Sequence, residues 1–263
     1  MSTRIAARTI ALGYLALLIA LPVGLVVWRT FEHGLAPVWT TMTQPDALHA
    51  FWLTVMIVLI TVPLNTLFGV LCALALVRHH FPGKSILNAI IDLPVAISPV
   101  VVGLALFIVY GRRGWFGDWL LAHGMRIIFA VPGMILATIF VSLPFVVREV
   151  VPVLREIGTE QEQAAQTLGA TPLQIFWRVT LPSIRAGVTY GVVLTTARAL
   201  GEFGAVSIVS GRLSGQTETL TLYVQERFEQ FDLTGAYTAS LVLALLALAT
   251  VVGMNTFKSK GAA

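Results

Sequence analysis

Long apolar runs alternate with short polar joints along this chain. The runs cover residues 10–27, 52–77, 86–110, 127–147, 187–209 and 236–254. A bilayer core takes about 20 apolar residues in helical form, and a helix satisfies its own backbone hydrogen bonds in lipid. Each run therefore predicts a membrane-crossing helix, about six in all. The second and third runs exceed the minimum and hold Pro63, Asn65, Asp92, Pro94 and Pro99, which predicts tilt, kinking or burial against neighbours. The break is expected within 93–100. Arg4 and Arg8 precede the first run, but that run is long for a signal-peptide core. It ends in Trp28-Arg29-Thr30 with no small-x-small cleavage site, so it reads as a membrane anchor.

Composition agrees with this pattern. Hydrophobic residues make up 57% of the chain and charged residues 11%, against about a quarter charged in soluble domains. No sizeable aqueous core is available, and the fold class is an all-α polytopic membrane protein, one transmembrane domain over residues 1–263. The net charge is +4, but the basic residues sit between apolar runs and not on one face, so topology and not nucleic acid explains them. With the N-terminus inside, the inner side collects Arg4, Arg8, Arg78, Lys84, Arg148, Arg155, Arg178, Arg185, Lys258 and Lys260. The outer side holds Arg29, Arg112, Arg113, Arg126, Arg212 and Arg227, offset by Glu218, Glu226, Glu229 and Asp232. The positive-inside rule then places both termini in the cytoplasm. Cys72, the single cysteine, lies within an apolar run and excludes an intramolecular disulfide or a cysteine metal cluster. The histidines, including the His79-His80 pair, are scattered in or near joints and read as interfacial polarity.

One inner joint is much longer than the rest: 148–185, dense in charge. It predicts two short helices. Thr159 with Glu162 has the spacing of a capping box, and Gly169 supplies the left-handed residue that ends the first helix. Thr171-Pro172 starts the second, and Leu181-Pro182 ends it. Ala164 and Ala165 leave a surface of little bulk, while Leu168, Leu173, Phe176 and Trp177 offer apolar anchors. These residues suit insertion into a groove on a soluble partner. They equally suit a hairpin resting on the membrane surface.

Within the fifth run, Arg198 and Glu202 stand four apart and are expected to share a helix face mid-span. A charge at that depth costs about 2.5–3.5 kcal/mol, so both are expected to face protein or a watery cavity.

Several of these stretches resemble a known family. Gln163-Ala164-Ala165, Gly169 and Val179-Thr180-Leu181-Pro182 resemble the "EAA" loop of ABC importer permeases, with Gln163 at the glutamate position, Glu162 just before it and Val179 at the isoleucine position. The stretches 93–103 (LPVAISPVVVG) and 128–133 (IFAVPG) resemble permeases of the sulfate/thiosulfate importer. The stretch 197–211 (ARALGEFGAVSIVSG) is similar to W-type permease subunits of that importer. The similarity covers about residues 48–250.

The resemblance implies a type I permease fold within a heteromeric assembly in the bacterial inner membrane. Its partners would be a T-type permease subunit, a dimer of a cytoplasmic ABC ATPase and a periplasmic sulfate-binding protein. ATP and Mg would bind on the ATPase, with no cofactor on this chain, which carries no G-x-x-x-x-G-K-[ST] loop. Thr159, Glu162, Gln163, Ala164, Ala165, Gly169, Phe176, Leu181 and Pro182 would form the ATPase-coupling loop. Arg198, Glu202, Ser98 and Pro99 would belong either to the translocation pathway or to a structural pair that fixes helix packing. Another oxyanion such as molybdate or tungstate is the alternative cargo. A secondary transporter explains the spans but not the inner loop, and an intramembrane enzyme lacks an H-E-x-x-H or a nucleophile–base pair.

Overall fold

The structure, a computed structural model, describes residues 2–260; Met1 and residues 261–263, part of the ends predicted to be cytoplasmic, lie outside it. Every regular element among the described residues is helical. The first predicted span is one continuous helix: α1 (Ser2–Leu15), a π-helical turn (Ala16–Ala20) and α2 (Leu21–Phe31), with right-handed backbone at both junctions. Its apolar side chains are exposed all round, as in a helix whose solvent is lipid. After α3 (Leu35–Met42) comes α4 (Pro45–Arg78). Pro45 at its first turn needs no backbone donor there.

The third predicted span breaks where its prolines foretell. α5 (Lys84–Ala96) and α6 (Pro99–Tyr110) meet at 113°. The ring of Pro99 disfavours helical backbone in the residue before it, and Ser98 is extended at φ −59°, ψ 135°. Beyond α7 (Gly117–Ala122), α8 (Val131–Ile157) runs ten residues further than the fourth predicted span. The first part of the predicted inner loop, from Arg148, is therefore helix. Then follow α9 (Glu160–Thr167), α10 (Pro172–Ile175), a π-helical turn (Phe176–Thr180), α11 (Leu181–Leu200), α12 (Gly204–Val209), α13 (Leu220–Glu229) and α14 (Leu233–Lys260).

Among the described residues, four stretches are each long and apolar enough to cross a bilayer alone: Ala7–Phe31, Pro45–Arg78, Val131–Ile157 and Leu233–Gly253. The α5–α6 pair makes a fifth if counted as one bent span. The expectation for 187–209 is corrected: helical backbone enters from before Leu181, carries Arg185 and Arg198, and stops at Leu200. Gly201 to Phe203 leave the helix before α12 begins, so Arg198 lies in the last turn of α11 and Glu202 in the break beyond it.

α8 is the centre of the packing and meets both α4 and α11, which also touch each other. Glycines permit the approach: a Cβ on Gly69 would stand 2.6 Å from the Val146 Cβ, and one on Gly191 would stand 2.8 Å from the Val146 Cα. Around this contact Val70, Ala73, Val147, Val150, Leu154 and Ile184 form a buried apolar cluster. Asn65 is buried in the same interface, and its amide donates to Ser142 Oγ at 2.8 Å and to the Ile139 carbonyl at 3.2 Å. Those partners let a polar amide stand inside an apolar span.

Candidate functional site: the inner loop and the helix break

The loop around α9 and α10 is built by local rules with one substitution of partners. Gly169 has φ +83°. Ala170 N–H donates to the Ala165 carbonyl at 3.1 Å and Gly169 N–H to the Gln166 carbonyl at 3.0 Å, the reciprocal pair that closes a helix through a left-handed residue. Thr171 then opens α10 with a complete capping box. Gln174 N–H donates to Thr171 Oγ1 at 3.4 Å, and Thr171 N–H donates to Gln174 Oε1 at 2.9 Å.

The capping box expected from Thr159 and Glu162 is absent. The Glu162 carboxylate turns instead to Arg78, whose Nε donates at 2.9 Å, and to the Thr180 hydroxyl at 2.8 Å. Charge-assisted bonds from a guanidinium outweigh one neutral backbone contact. Thr159 Oγ1 accepts from the Gln163 side chain at 3.1 Å.

The expected stop at Leu181-Pro182 is also corrected. Thr180 and Leu181 both keep right-handed helical backbone, so α10, the π turn and α11 run on as one helix. The widened turn takes up the misfit of a proline ring, and Pro182 gives up a donor at a place where the ladder is already loosened.

The loop's anchors divide into two sets. Phe176 and Leu181 pack inward against the cluster around Val150 and Leu154. Leu168 and Trp177 face outward, 88% and 59% exposed, as does Leu173. Gln161, Ala164, Ala165, Arg178 and Pro182 line a shallow groove beside them.

At the helix break, two stretches singled out in the sequence interlock. A Cβ on Gly204 would stand 2.9 Å from the Pro99 Cβ, and one on Gly103 would stand 2.7 Å from the Ala205 carbonyl oxygen. Glu202, 3% exposed, sits beside this contact. Its Oε1 accepts from Ala205 N–H at 2.8 Å, and its Oε2 lies 2.6 Å from Arg198 Nη1. Thr221 Oγ1 donates to the Glu202 backbone carbonyl at 2.9 Å. Glu202 thus steadies the start of α12 while neutralising Arg198, whose side chain remains 29% exposed. The adjoining cavity, lined by Thr54, Thr138, Glu202, Thr219 and Thr221, measures about 10 Å³, room for one water. Ser98 begins α6 without a side-chain cap. Asp92, also noted in the sequence, pairs with Arg148 of α8.

Sequence reasoning missed Arg78 and Thr180 as partners of Glu162. Arg78 ends α4, 84 positions from Glu162, so no local spacing links them. Thr180 stood in plain view inside Val179-Thr180-Leu181-Pro182, but a hydroxyl there carries no signal of its own.

A polytopic bundle with interlocking broken helices and a capped two-helix connecting segment has the architecture of a transport permease. Residues 65–257 match the family described as binding-protein-dependent transport system inner membrane component, and the chain belongs to that family. It is 54% identical over 243 residues to the sulfate transport system permease protein CysW of Synechococcus elongatus, covering 92% of this chain and 85% of that one. It is 35% identical over 256 residues to the sulfate transport system permease protein CysT of Escherichia coli strain K12, covering 96% and 92%. Among solved structures, it superposes on a bacterial ABC transporter involved in the import of the acidic polysaccharide alginate with a TM-score of 0.81. That match covers 97% of this chain and 95% of the other at 18% identity, a likeness of fold alone.

Proposed function

We propose that this chain is the W-type permease subunit of an ATP-driven sulfate importer in the bacterial inner membrane. The observation that carries the reading is 54% identity, across 92% of the chain, to a protein named for that role. The family's own description supports dependence on a binding protein. In this reading a T-type permease sits beside the chain, a dimer of a cytoplasmic ABC ATPase binds ATP and Mg, and a periplasmic protein delivers sulfate or thiosulfate. The segment 159–182 docks the ATPase through its outward Leu168, Leu173 and Trp177 and the small Ala164 and Ala165, while Phe176 and Leu181 root it in the core. Arg198 and Glu202 hold the helix break, with the buried carboxylate as the counter-charge of the arginine. Both termini lie in the cytoplasm, as the distribution of Lys and Arg favours.

The test is co-purification and uptake. A tagged chain is expected to carry the ATPase and a T-type permease through detergent extraction and to support radiolabelled sulfate uptake in cells deleted for the native gene. Retrieval without an ATPase, or uptake of molybdate in place of sulfate, overturns the reading. A Gln166→Cys variant is expected to react with a membrane-impermeant maleimide only in inside-out vesicles. Labelling in outer-membrane-permeabilised cells reverses the orientation.

A further inference from the structure

Arg78 is the last residue of α4, and its side chain is 12% exposed. Its guanidinium uses nearly every donor it has. Nε donates to Glu162 Oε2 at 2.9 Å and Nη2 to Glu162 Oε1 at 3.2 Å. Nη1 donates to the Leu154 carbonyl at 3.0 Å, and Nη2 also donates to the Gly158 carbonyl at 2.6 Å. Glu162 in turn accepts the Thr180 hydroxyl at 2.8 Å.

Each acceptor lies on a different piece of backbone. Leu154 carries one of the last carbonyls of α8, which has no partner within its own helix. Gly158 is the turn residue after α8, with φ +63°. Glu162 is in the first turn of α9, and Thr180 closes the π turn that leads into α11. One planar fork therefore holds the ends of α4 and α8, the Gly158 turn and α9 directly, and the start of α11 through Glu162. An ammonium offers a point charge on a flexible stem and cannot fill these directions together.

We infer that Arg78 is the positioning residue of the docking segment: it locks α9 to α4 and α8, so that displacement of the segment by a docked partner is handed to the spans. The inference rests on the proposed permease role. Arg78 reaches the partner's docking face only through Glu162, and its part is to stiffen the joint.

The experiment uses the full assembly of both permeases, the ATPase and the binding protein in nanodiscs, with Arg78→Gln, Arg78→Lys and Thr180→Val. Three quantities are read: ATPase co-elution, basal ATP hydrolysis, and hydrolysis stimulated by sulfate-loaded binding protein. Arg78→Gln and Arg78→Lys are expected to co-elute and hydrolyse ATP at the basal rate, yet lose stimulation by about ten-fold, the size of a typical coupling between sites. Thr180→Val, close to isosteric, is expected to lose a smaller part. Wild-type stimulation in Arg78→Gln, or full rescue by Arg78→Lys, overturns the inference, as does loss of co-elution in both Arg78 variants, which would make Arg78 a folding residue only. If the wild-type chain itself fails to bind an ATPase, the permease role fails separately. The lock is then read in the isolated chain by hydrogen exchange, where Arg78→Gln is expected to speed exchange in α9, and unchanged exchange overturns it.

Discussion

Gly191 meets Val146 backbone to backbone: a Cβ at position 191 would lie 2.8 Å from the Val146 Cα. Main chain cannot retreat as a flexible side chain can. Gly191→Ala is therefore expected to force α11 away from α8, at a cost in the range of about 1–3 kcal/mol for overpacking. Gly24→Ala is the control, because no atom stands within 4 Å of a Cβ there. Thermal unfolding of the detergent-solubilised protein should show a lowered midpoint for the first and none for the second.

Gly169 presents the opposite situation, with open space around it and φ at +83°. A side chain fits, but an L-residue resists the backbone angle by about 1–2 kcal/mol. Gly169→Val is expected to deform the end of α9 and reduce both ATPase co-elution and sulfate uptake, while membrane insertion stays normal. Gly169→Asn, which tolerates the left-handed region, should retain most of both. Equal behaviour of the two variants would mean that this backbone angle is irrelevant to docking.

For the pair at the helix break, Glu202→Ala is expected to be worse than Arg198→Ala. It removes the acceptor of Ala205 N–H as well as the counter-charge of an arginine that cannot shed its proton. Glu202→Gln keeps an acceptor and should fold better than Glu202→Ala. Yield and uptake are to be measured separately, also in the double variant Arg198→Ala/Glu202→Gln. Recovery of uptake in the double relative to Glu202→Gln alone supports a structural pair, and a well-folded double that fails to import assigns Arg198 to the anion.

The contrast between Gly169 and Glu162 shows what a sequence can and cannot disclose. Gly169, Thr171 and Pro172 act through bonds that close within a few residues, so their roles were legible before any fold was known. Glu162 had the right spacing for a local cap and was captured by Arg78 from another helix. Similarly, the apolar run at 187–209 predicted one span, because hydropathy does not register the interruption at Gly201 to Phe203, which is stabilised by Glu202 and by Thr221 across a long connection. The interlock of Pro99 with Gly204 and of Gly103 with Ala205 was invisible for the same reason: the two stretches were recognised separately, and only the fold joins them.

Glu218 lies in the connection between α12 and α13, is buried, and has its carboxyl pushed from the usual 4.5 up to about 8, first by burial and then by the hydrogen-bonded carboxyl of Glu226. Ser214 and Arg227 pull in the other direction. Between those two values the folded chain holds a proton that the unfolded chain has lost, so the contribution is complete below about pH 4.5 and disappears as pH rises through about 8. Hydrogen exchange in 217–229, corrected for intrinsic rates, is expected to be slower at mildly acidic than at alkaline pH. Glu218→Gln should remove most of that difference. A pH response that survives the substitution points to another group.

The unbroken helix from Pro172 through the π turn to Leu200 spans about 40 Å at about 1.5 Å per residue. The Trp177 face stands near one end and Arg198 near the other, and the π turn and Pro182 both lie in the half nearer Trp177. Helical hydrogen bonding on both sides of the π turn ties the placement of Trp177 to that of Arg198, and its first break falls at Gly201, between α11 and α12.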